Sequence, residues 1–232
     1  MAADLTALLA KLAVKFDDQK LLQQVFIHRS YLNENHQAGL EHNERLEFLG
    51  DAVLELVVTE FLYLNYPNPE GELTNWRSAL VRGAMISEVA NQLGFGDYLL
   101  LSKGENRSGG KSRQIILANT FEAFVGALYL DQGYQAAADF IHRQLTHRLP
   151  AILADKSYLD AKSRLQELAQ DQHSQTPNYR VMAELGPDHN KNFTVGVYLG
   201  PRLMGEGTGS SKQTAEQAAA RQALLEHFSH ST

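Results

Sequence analysis

The chain has 232 residues, which is enough to bury the core of one large domain or two smaller ones. Hydrophobic residues make up 44% and charged residues 21% of the sequence, a balance that excludes a disordered or fibrous chain. The net charge of −6 argues against a protein that binds nucleic acid through overall positive charge, and the lack of cysteine excludes disulfides and thiolate metal sites.

The start of the chain and its hydropathy pattern give no sign of a targeting or membrane segment. Asp4, Lys11 and Lys15 interrupt the first apolar pattern, which therefore does not resemble a signal peptide. No apolar run reaches the roughly 18 residues needed to span a bilayer. The expected protein is cytoplasmic and has no membrane association.

The first part of the chain shows helical periodicity only. Pro67 and Pro69 disfavour continuation of its longest helix, and Gly133 separates its last two helices. We predict an all-helical domain over residues 1–150 and a linker over residues 151–157. The predicted helices cover residues 4–16, 18–28, 42–64, 73–93, 115–131 and 134–149, with a polar loop over 33–43 and a glycine-rich loop over 103–111.

The pattern changes after the linker, and residues 158–232 form a second predicted domain. A helix over 159–171 comes first, and period-two alternation then predicts strands. The last helix begins near Ser211, where Ser210 and Gln213 have the spacing of a capping box. The fold class is thus an all-α domain followed by an α-β-β-β-α domain. The predicted strands cover residues 178–185, 193–199 and 203–206.

The helix over 42–64 carries acids among apolar residues. At about 100° per residue, Asp51 lies about 40° and Glu44 about 60° from Glu47. Leu54 shares this arc, within about 20° of Glu47. Such acids commonly form only the solvent-exposed face of an amphipathic helix. Here apolar residues cover most of the remaining circumference, which predicts a buried helix whose carboxylates are paired or bound to metal.

A second apolar helix presents oxygen donors on one face, since Asn119 and Glu122 lie three residues apart. Carboxylate, amide and water oxygens suit Mg²⁺ or Mn²⁺. A di-metal oxidoreductase in a helical bundle would need Glu-x-x-His pairs, which neither acid-bearing helix supplies. The two helices therefore predict a hard-cation site.

Residues 42–52, which read HNERLEFLGDA, resemble the signature helix of the ribonuclease III family. The helix, three strands and helix after the linker resemble a double-stranded-RNA-binding domain, with GPDHNKNF and SSKQTAEQAAA as landmarks. The resemblance spans the whole chain. Its other blocks are FIHRSYLNEN at 26–35, PEGELTNWRSALV at 69–81, GENRSGGKSRQIILA at 104–118 and FEAFVGALYLDQG at 121–133.

The resemblance implies an endoribonuclease that cleaves double-stranded RNA with Mg²⁺, for which Mn²⁺ could substitute. The products would be 5′-phosphate and 3′-hydroxyl ends with short 3′ overhangs, and the substrates rRNA precursors and other structured transcripts. The metal would be held by Glu47, Asp51, Asn119 and Glu122, with Glu44 and Glu70 as a second acidic layer near the RNA. The implied RNA contacts of the second domain are Gln166, Glu167, His189 and Lys212.

Two departures qualify these implications. The family has Asp where this chain has Asn119, and an amide can bind Mg²⁺ but adds no charge, so metal affinity should fall. The last helix has Lys212 where the family has a basic cluster, so RNA affinity should be modest. His189 could equally be an ordinary exposed histidine. The alternative function is a catalytically weakened RNA-binding or ribosome-associated protein.

The resemblance also implies a homodimer whose two sites cut opposite strands. A single chain has one acidic cluster, so cutting both strands at once requires association. Phe48 and Leu49 lie in the signature helix and could pack across a two-fold axis, or they could belong to the core of their own domain.

Overall fold

A computed structural model of the protein describes residues 5–35, 39–154, 161–187 and 191–228. The chain divides into two compact units, Met1–Asp155 and Lys156–Thr232. The described part of the first unit is helical, as predicted. Its helices are α1 (Leu5–Leu12), α2 (Gln19–Val25), α3 (Arg29–Glu34), α4 (Glu44–Asn65), α5 (Glu70–Val81), α6 (Gly83–Leu93), α7 (Phe95–Tyr98), α8 (Lys103–Arg107), α9 (Gln114–Gln144) and α10 (Leu149–Ala154).

Helices α4 and α9 pack against each other and form the centre of the first unit. The ring of Phe124 in α9 lies 5.6 Å from that of Phe16, 5.2 Å from that of Phe95 and 5.0 Å from that of Phe140, measured between centroids. These tilted aromatic contacts add to the free energy gained by burying the rings. They fix the position of the helix that carries Asn119 and Glu122.

The prediction that α4 is buried all round is wrong for the single chain. One face is buried, but Phe48 is 81% and Leu56 57% exposed, and Tyr63 and Leu64 are also exposed. The sequence pattern predicts that α4 is apolar on most sides. A helix that packs mainly on α9 can bury only one side. The remaining apolar face of α4 is a feature that the single chain leaves uncovered.

Two other predictions for the first unit are corrected. The helix predicted over 73–93 is two helices, because Arg82 has extended backbone (φ −61°, ψ 141°) and Gly83, a weak helix former, follows it. The loop predicted over 103–111 contains α8. The Ser102 hydroxyl accepts a hydrogen bond from the Glu105 backbone N–H at 3.1 Å and so caps that helix.

Helix α9 changes direction at Gly133, where the sequence predicted a boundary. Gly133 has φ 82° and ψ −179°, a conformation that residues with a Cβ rarely adopt. The helix ends at Gln144, and α10 follows after a short 3₁₀ turn. Pro150 lies in the first turn of α10, where proline is tolerated, so the helix continues past the predicted boundary at residue 150. Residues 151–154 of the predicted linker are therefore helical, and 155–157 lie outside the described residues.

The second unit has the predicted order of elements. Its three strands form one antiparallel sheet in the order β1-β2-β3, and α12 packs on β2 and β3. Leu165, Val197, Met204 and Ala219 are among its buried core residues. The elements are α11 (Ala161–His173), β1 (Asn178–Leu185), β2 (Asn192–Leu199), β3 (Arg202–Gly209) and α12 (Lys212–His227).

The capping residue of α12 differs from the prediction by one position. Ser211, not Ser210, is the N-cap, and its hydroxyl accepts the Thr214 backbone N–H at 3.1 Å. Ser210 and Gln213 therefore do not form the predicted capping box. None of the helices among the described residues is long and apolar enough to cross a membrane.

Candidate metal centre and RNA-binding surface

The α4 and α9 backbones touch where two glycines meet. A Cβ at Gly50 would lie 1.7 Å from the Glu122 carbonyl oxygen, and one at Gly126 would lie 2.3 Å from the Leu46 carbonyl oxygen. Any larger residue at either position would force the helices apart. This close crossing brings the acids of α4 next to the polar residues of α9.

The four predicted metal ligands lie together at this crossing. The Asn119 side chain lies beside the Glu47 carboxylate and acts to lower its pKa, and the carboxylates of Glu47 and Asp51 both act electrostatically on Glu122. Glu47, Asn119 and Glu122 are half-buried, whereas Asp51 is exposed. The cluster is therefore sunk into the helix pair but open to solvent on one side.

Burial and like charge both perturb the acids of the cluster. Burial, followed by the Asp51 and Glu47 carboxylates, raises the pKa of Glu122 from 4.5 to about 7. Burial and the Glu44 carboxylate also raise the pKa of Glu47, while the neighbouring Asn119 amide acts in the opposite direction. A group of acids held close together in this way is unfavourable when all are ionised.

The donor set fits a hard divalent cation. Three carboxylates and one amide oxygen supply only oxygen ligands, and Mg²⁺ commonly uses few protein ligands and keeps several waters. Burial and like-charge repulsion raise the pKa of Glu122, and a bound dication would offset the repulsion. Within the described residues, no group of three or more Asp, Glu, His or Cys side chains is already close enough to hold an ion by itself.

The two outer acids lie in different surroundings. The Glu44 carboxylate is 3.4 Å from Nη1 of Arg29 and 3.8 Å from Nδ1 of His42, and it is close enough to raise the pKa of Glu47. Glu70 is exposed at the start of α5 and accepts a hydrogen bond from the Thr74 hydroxyl at 2.9 Å. The structure thus brings Glu44 to the edge of the cluster, but shows no contact of Glu70 with it.

A basic segment that the sequence pattern did not indicate precedes α9. Four exposed cations lie between residues 103 and 113, whereas the first 154 residues together carry 13 basic and 18 acidic side chains. A local count of charge would have found this segment. Arg113 is anchored there by an ion pair with Glu105. The four cations are Lys103, Arg107, Lys111 and Arg113.

The predicted RNA contacts of the second unit are exposed where the structure describes them. Gln166 and Glu167 lie on the outer side of α11, and Lys212 is the first residue of α12. Gln166 also lines a shallow groove together with Gln213, at the start of α12. α11 and the start of α12 therefore share one surface. His189 lies outside the described residues.

The contacts of a lysine on this unit were likewise not indicated by the sequence pattern. The Lys162 ammonium lies 2.6 Å from the Glu216 carboxylate and 4.8 Å from the centroid of the Tyr179 ring. A pair of this kind joins α11 to α12 and depends on the tertiary fold. Spacing along the sequence carries no signal for it.

Comparison with known proteins places both units. A family model described as ribonuclease-III-like matches residues 18–149, and a double-stranded RNA binding motif matches residues 161–227. Ribonuclease 3 of Oceanobacillus iheyensis is 45% identical over 224 residues, which cover 95% of this chain and 97% of that protein. Ribonuclease 3 of Enterococcus faecalis is 46% identical over 220 residues, covering 94% of this chain and 95% of that protein.

A solved structure supports the same assignment for the first unit. The nuclease domain of ribonuclease III from Campylobacter jejuni aligns with 61% of this chain and 93% of that chain. The TM-score is 0.56 and the sequence identity 37%. A second solved structure of that nuclease domain shows structural flexibility in the region involved in its dimer formation.

Proposed function

Because the chain belongs to the ribonuclease III family of endoribonucleases, we propose that it cleaves double-stranded RNA by Mg²⁺-dependent hydrolysis. The products are 5′-phosphate and 3′-hydroxyl ends with short 3′ overhangs, and the substrates are rRNA precursors and other structured transcripts. The observation that carries this proposal is the cluster of three carboxylates and one amide at the crossing of α4 and α9.

The cluster supplies the residues that would hold the metal. Glu47, Asp51 and Glu122 offer carboxylate oxygens, and Asn119 offers its amide oxygen beside Glu47. Bound Mg²⁺ lowers the pKa of a ligated water and neutralises charge on the scissile phosphate, and Mn²⁺ could replace it at the same donors. Glu44 and Glu70 form the proposed outer acidic layer that faces the RNA.

The second unit provides most of the proposed contacts with the duplex. Domains of this kind read the shape and 2′-hydroxyls of RNA in its minor groove and contact the phosphates between two grooves. Gln166 and Glu167 on α11 and His189 in the β1–β2 connection would reach the minor groove. Lys212 would contact phosphate together with the backbone N–H groups that begin α12.

We also propose that two copies associate through the uncovered face of α4. Phe48 is 81% exposed and Leu56 57% exposed, although an apolar side chain gains free energy by leaving water. Leu49 is half-buried and borders the same face. Association would set two metal centres against opposite strands of one duplex, which is what short 3′ overhangs require.

Asn119 supports a second candidate function. Where the family has a charged ligand, this chain has a neutral one, so the metal is held by three charges rather than four. If that loss is severe, the protein binds duplex RNA without cutting it. The same amide also reduces repulsion in the metal-free cluster, because it favours the ionised form of Glu47 where an aspartate would add negative charge.

The first test is cleavage of an end-labelled RNA duplex across a Mg²⁺ titration, with the natural chain, Asn119→Asp and Glu122→Gln. We expect the natural chain to cut, Glu122→Gln to lose at least about 100-fold in rate, and Asn119→Asp to reach half-maximal rate at lower Mg²⁺. Binding of the duplex serves as the control, since all three proteins should retain it. Binding without cleavage by the natural chain, restored by Asn119→Asp, would establish the second candidate function instead.

A further inference from the structure

One carboxylate in the RNA-binding unit pairs with two lysines from separate elements. Oε2 of Glu184 lies 3.5 Å from Nζ of Lys191, and its Oε1 lies 3.3 Å from Nζ of Lys212. Lys191 ends the β1–β2 connection, and Lys212 begins α12. These are two of the elements that the proposed function places against the RNA. Glu184 therefore joins them by a single side chain.

The register of the sheet explains why the three groups meet. Glu184 on β1 pairs with Phe193 on β2, which in turn pairs with Gly209 on β3, so one row of residues crosses the sheet. The chain then turns into α12 just beyond Gly209. The Lys212 side chain returns over this row, with its Nζ 5.6 Å from the centroid of the Phe193 ring. A cation–π contact and an ion pair thus hold the same ammonium group.

The exposure of the three side chains points to a role in binding rather than in folding. The side chains of Lys212, Glu184 and Lys191 are 58%, 38% and 33% exposed. Ion pairs at such positions add little to the stability of a fold, because water screens them and long side chains lose freedom. The Lys212 ammonium group has three donors, so pairing with Glu184 leaves N–H groups that can reach phosphate oxygens.

We propose that Glu184 is a positioning residue for double-stranded RNA, which holds Lys191 and Lys212 at the separation at which both meet the duplex. The inference rests on the proposed RNA binding by this unit. Lysines that are already ordered lose less conformational entropy when RNA binds. Charge alone predicts the opposite change in RNA affinity when Glu184 is replaced. Removing a carboxylate beside two phosphate-binding cations should strengthen attraction to RNA.

The test measures duplex affinity of the full chain in chelator, so that binding is separated from cleavage, over a range of salt concentrations. We expect Glu184→Gln to weaken binding by roughly 3- to 10-fold, as the loss of order in two long side chains implies. Glu184→Asp keeps the charge but is one methylene shorter, so it should also weaken binding. Glu226→Gln removes the same charge from the exposed end of α12 and should leave affinity unchanged.

A second readout is the cleavage reaction with Mg²⁺, where Glu184→Gln should raise KM by a similar factor and leave kcat unchanged. Tighter binding by Glu184→Gln with a steeper salt dependence, together with natural affinity of Glu184→Asp, would overturn the inference and make Glu184 an attenuator of RNA affinity. A natural chain that binds no duplex would instead refute the proposed function. Melting temperatures of the variants should match that of the natural chain, and binding lost only in proportion to unfolding also contradicts the inference.

Discussion

Glu122 is placed where its ionised form is unfavourable unless a cation is present. Burial and the neighbouring Asp51 and Glu47 carboxylates raise its pKa from 4.5 to about 7. Between these two values the metal-free folded protein retains a proton that the unfolded chain has lost. The folded state binds more protons there, so the contribution of Glu122 to the free energy of unfolding falls as pH rises through this window.

This leads to a pH-dependent stability difference between the natural chain and Glu122→Gln in chelator. We expect Glu122→Gln to be more stable by about 1 kcal/mol at about pH 8, after allowance for solvent screening of a partly exposed group, and the difference to vanish near pH 4.5. Denaturant unfolding followed by the fluorescence of Trp76, the chain's single tryptophan and buried in α5, reports the first unit. A stability difference between the two proteins that does not change with pH would contradict the raised pKa of Glu122.

At the scale of single residues, the sequence predicted groups that depend on local spacing. Asn119 and Glu122 lie on one helix face because they are three residues apart, and Glu47 and Asp51 do so because they are four apart. The local spacing around Glu184 did not predict its contacts. Its contacts with Lys191 and Lys212 depend on the register of three strands and on the turn into α12, which side-chain pattern alone does not specify.

At the scale of elements, helices α4 and α9 of the first unit cross in close backbone contact at Gly50 and Gly126. We expect Gly126→Ala to destabilise the first unit by about 3 kcal/mol or more and to abolish cleavage, because its Cβ would lie 2.3 Å from the Leu46 carbonyl oxygen. Gly83→Ala is the matched control. A Cβ at Gly83, at the start of α6, meets nothing within 4 Å, so that variant should be as stable as the natural chain or slightly more so.

Thermal unfolding followed by Trp76 fluorescence compares the two glycine variants in one experiment. Equal melting temperatures would show that the helices separate at little cost and that the crossing does not fix the acids. The expected result is a large fall for Gly126→Ala alone. Activity lost in proportion to the unfolded fraction, at temperatures where the natural chain is folded, would confirm that the site depends on the crossing.

Element types were more predictable than element ends. Apolar periodicity identified α4 and α9 because each buries a long face, and period-two alternation identified β1 and β2. The break at Arg82 was missed because the apolar spacing continues across it into α6. Helix α8 was missed because its cap, Ser102, stands before a stretch whose glycines suggested a loop.

At the scale of the whole molecule, the uncovered face of α4 is the feature that one chain does not explain. The sequence indicated a helix apolar on most sides, and the structure shows that only part of that surface is buried within the chain. A pattern of hydrophobic residues indicates that side chains are buried away from water. It does not indicate whether the same chain or a second copy buries them. Association is therefore the proposed reason for the mismatch.

Phe48→Ala tests this association. Because Phe48 is 81% exposed, its loss should change the melting temperature of the separated chain little, whereas it should weaken self-association by roughly 100-fold or more if the ring is a central interface contact. Leu225→Ala, at a position 74% exposed on α12, is the control and should associate as the natural chain does. Sedimentation equilibrium measures the mass of each protein over a range of concentrations.

The cleavage products of Phe48→Ala connect association with chemistry. Each copy has one acidic cluster, so separated copies should at most nick one strand, and double cleavage with short 3′ overhangs should fall with the fraction of dimer. Raising the concentration of Phe48→Ala should restore both the dimer and the paired cuts, because the metal centre itself is unchanged. Paired cuts by a protein that sedimentation shows to be monomeric would refute the proposal that two copies share one duplex.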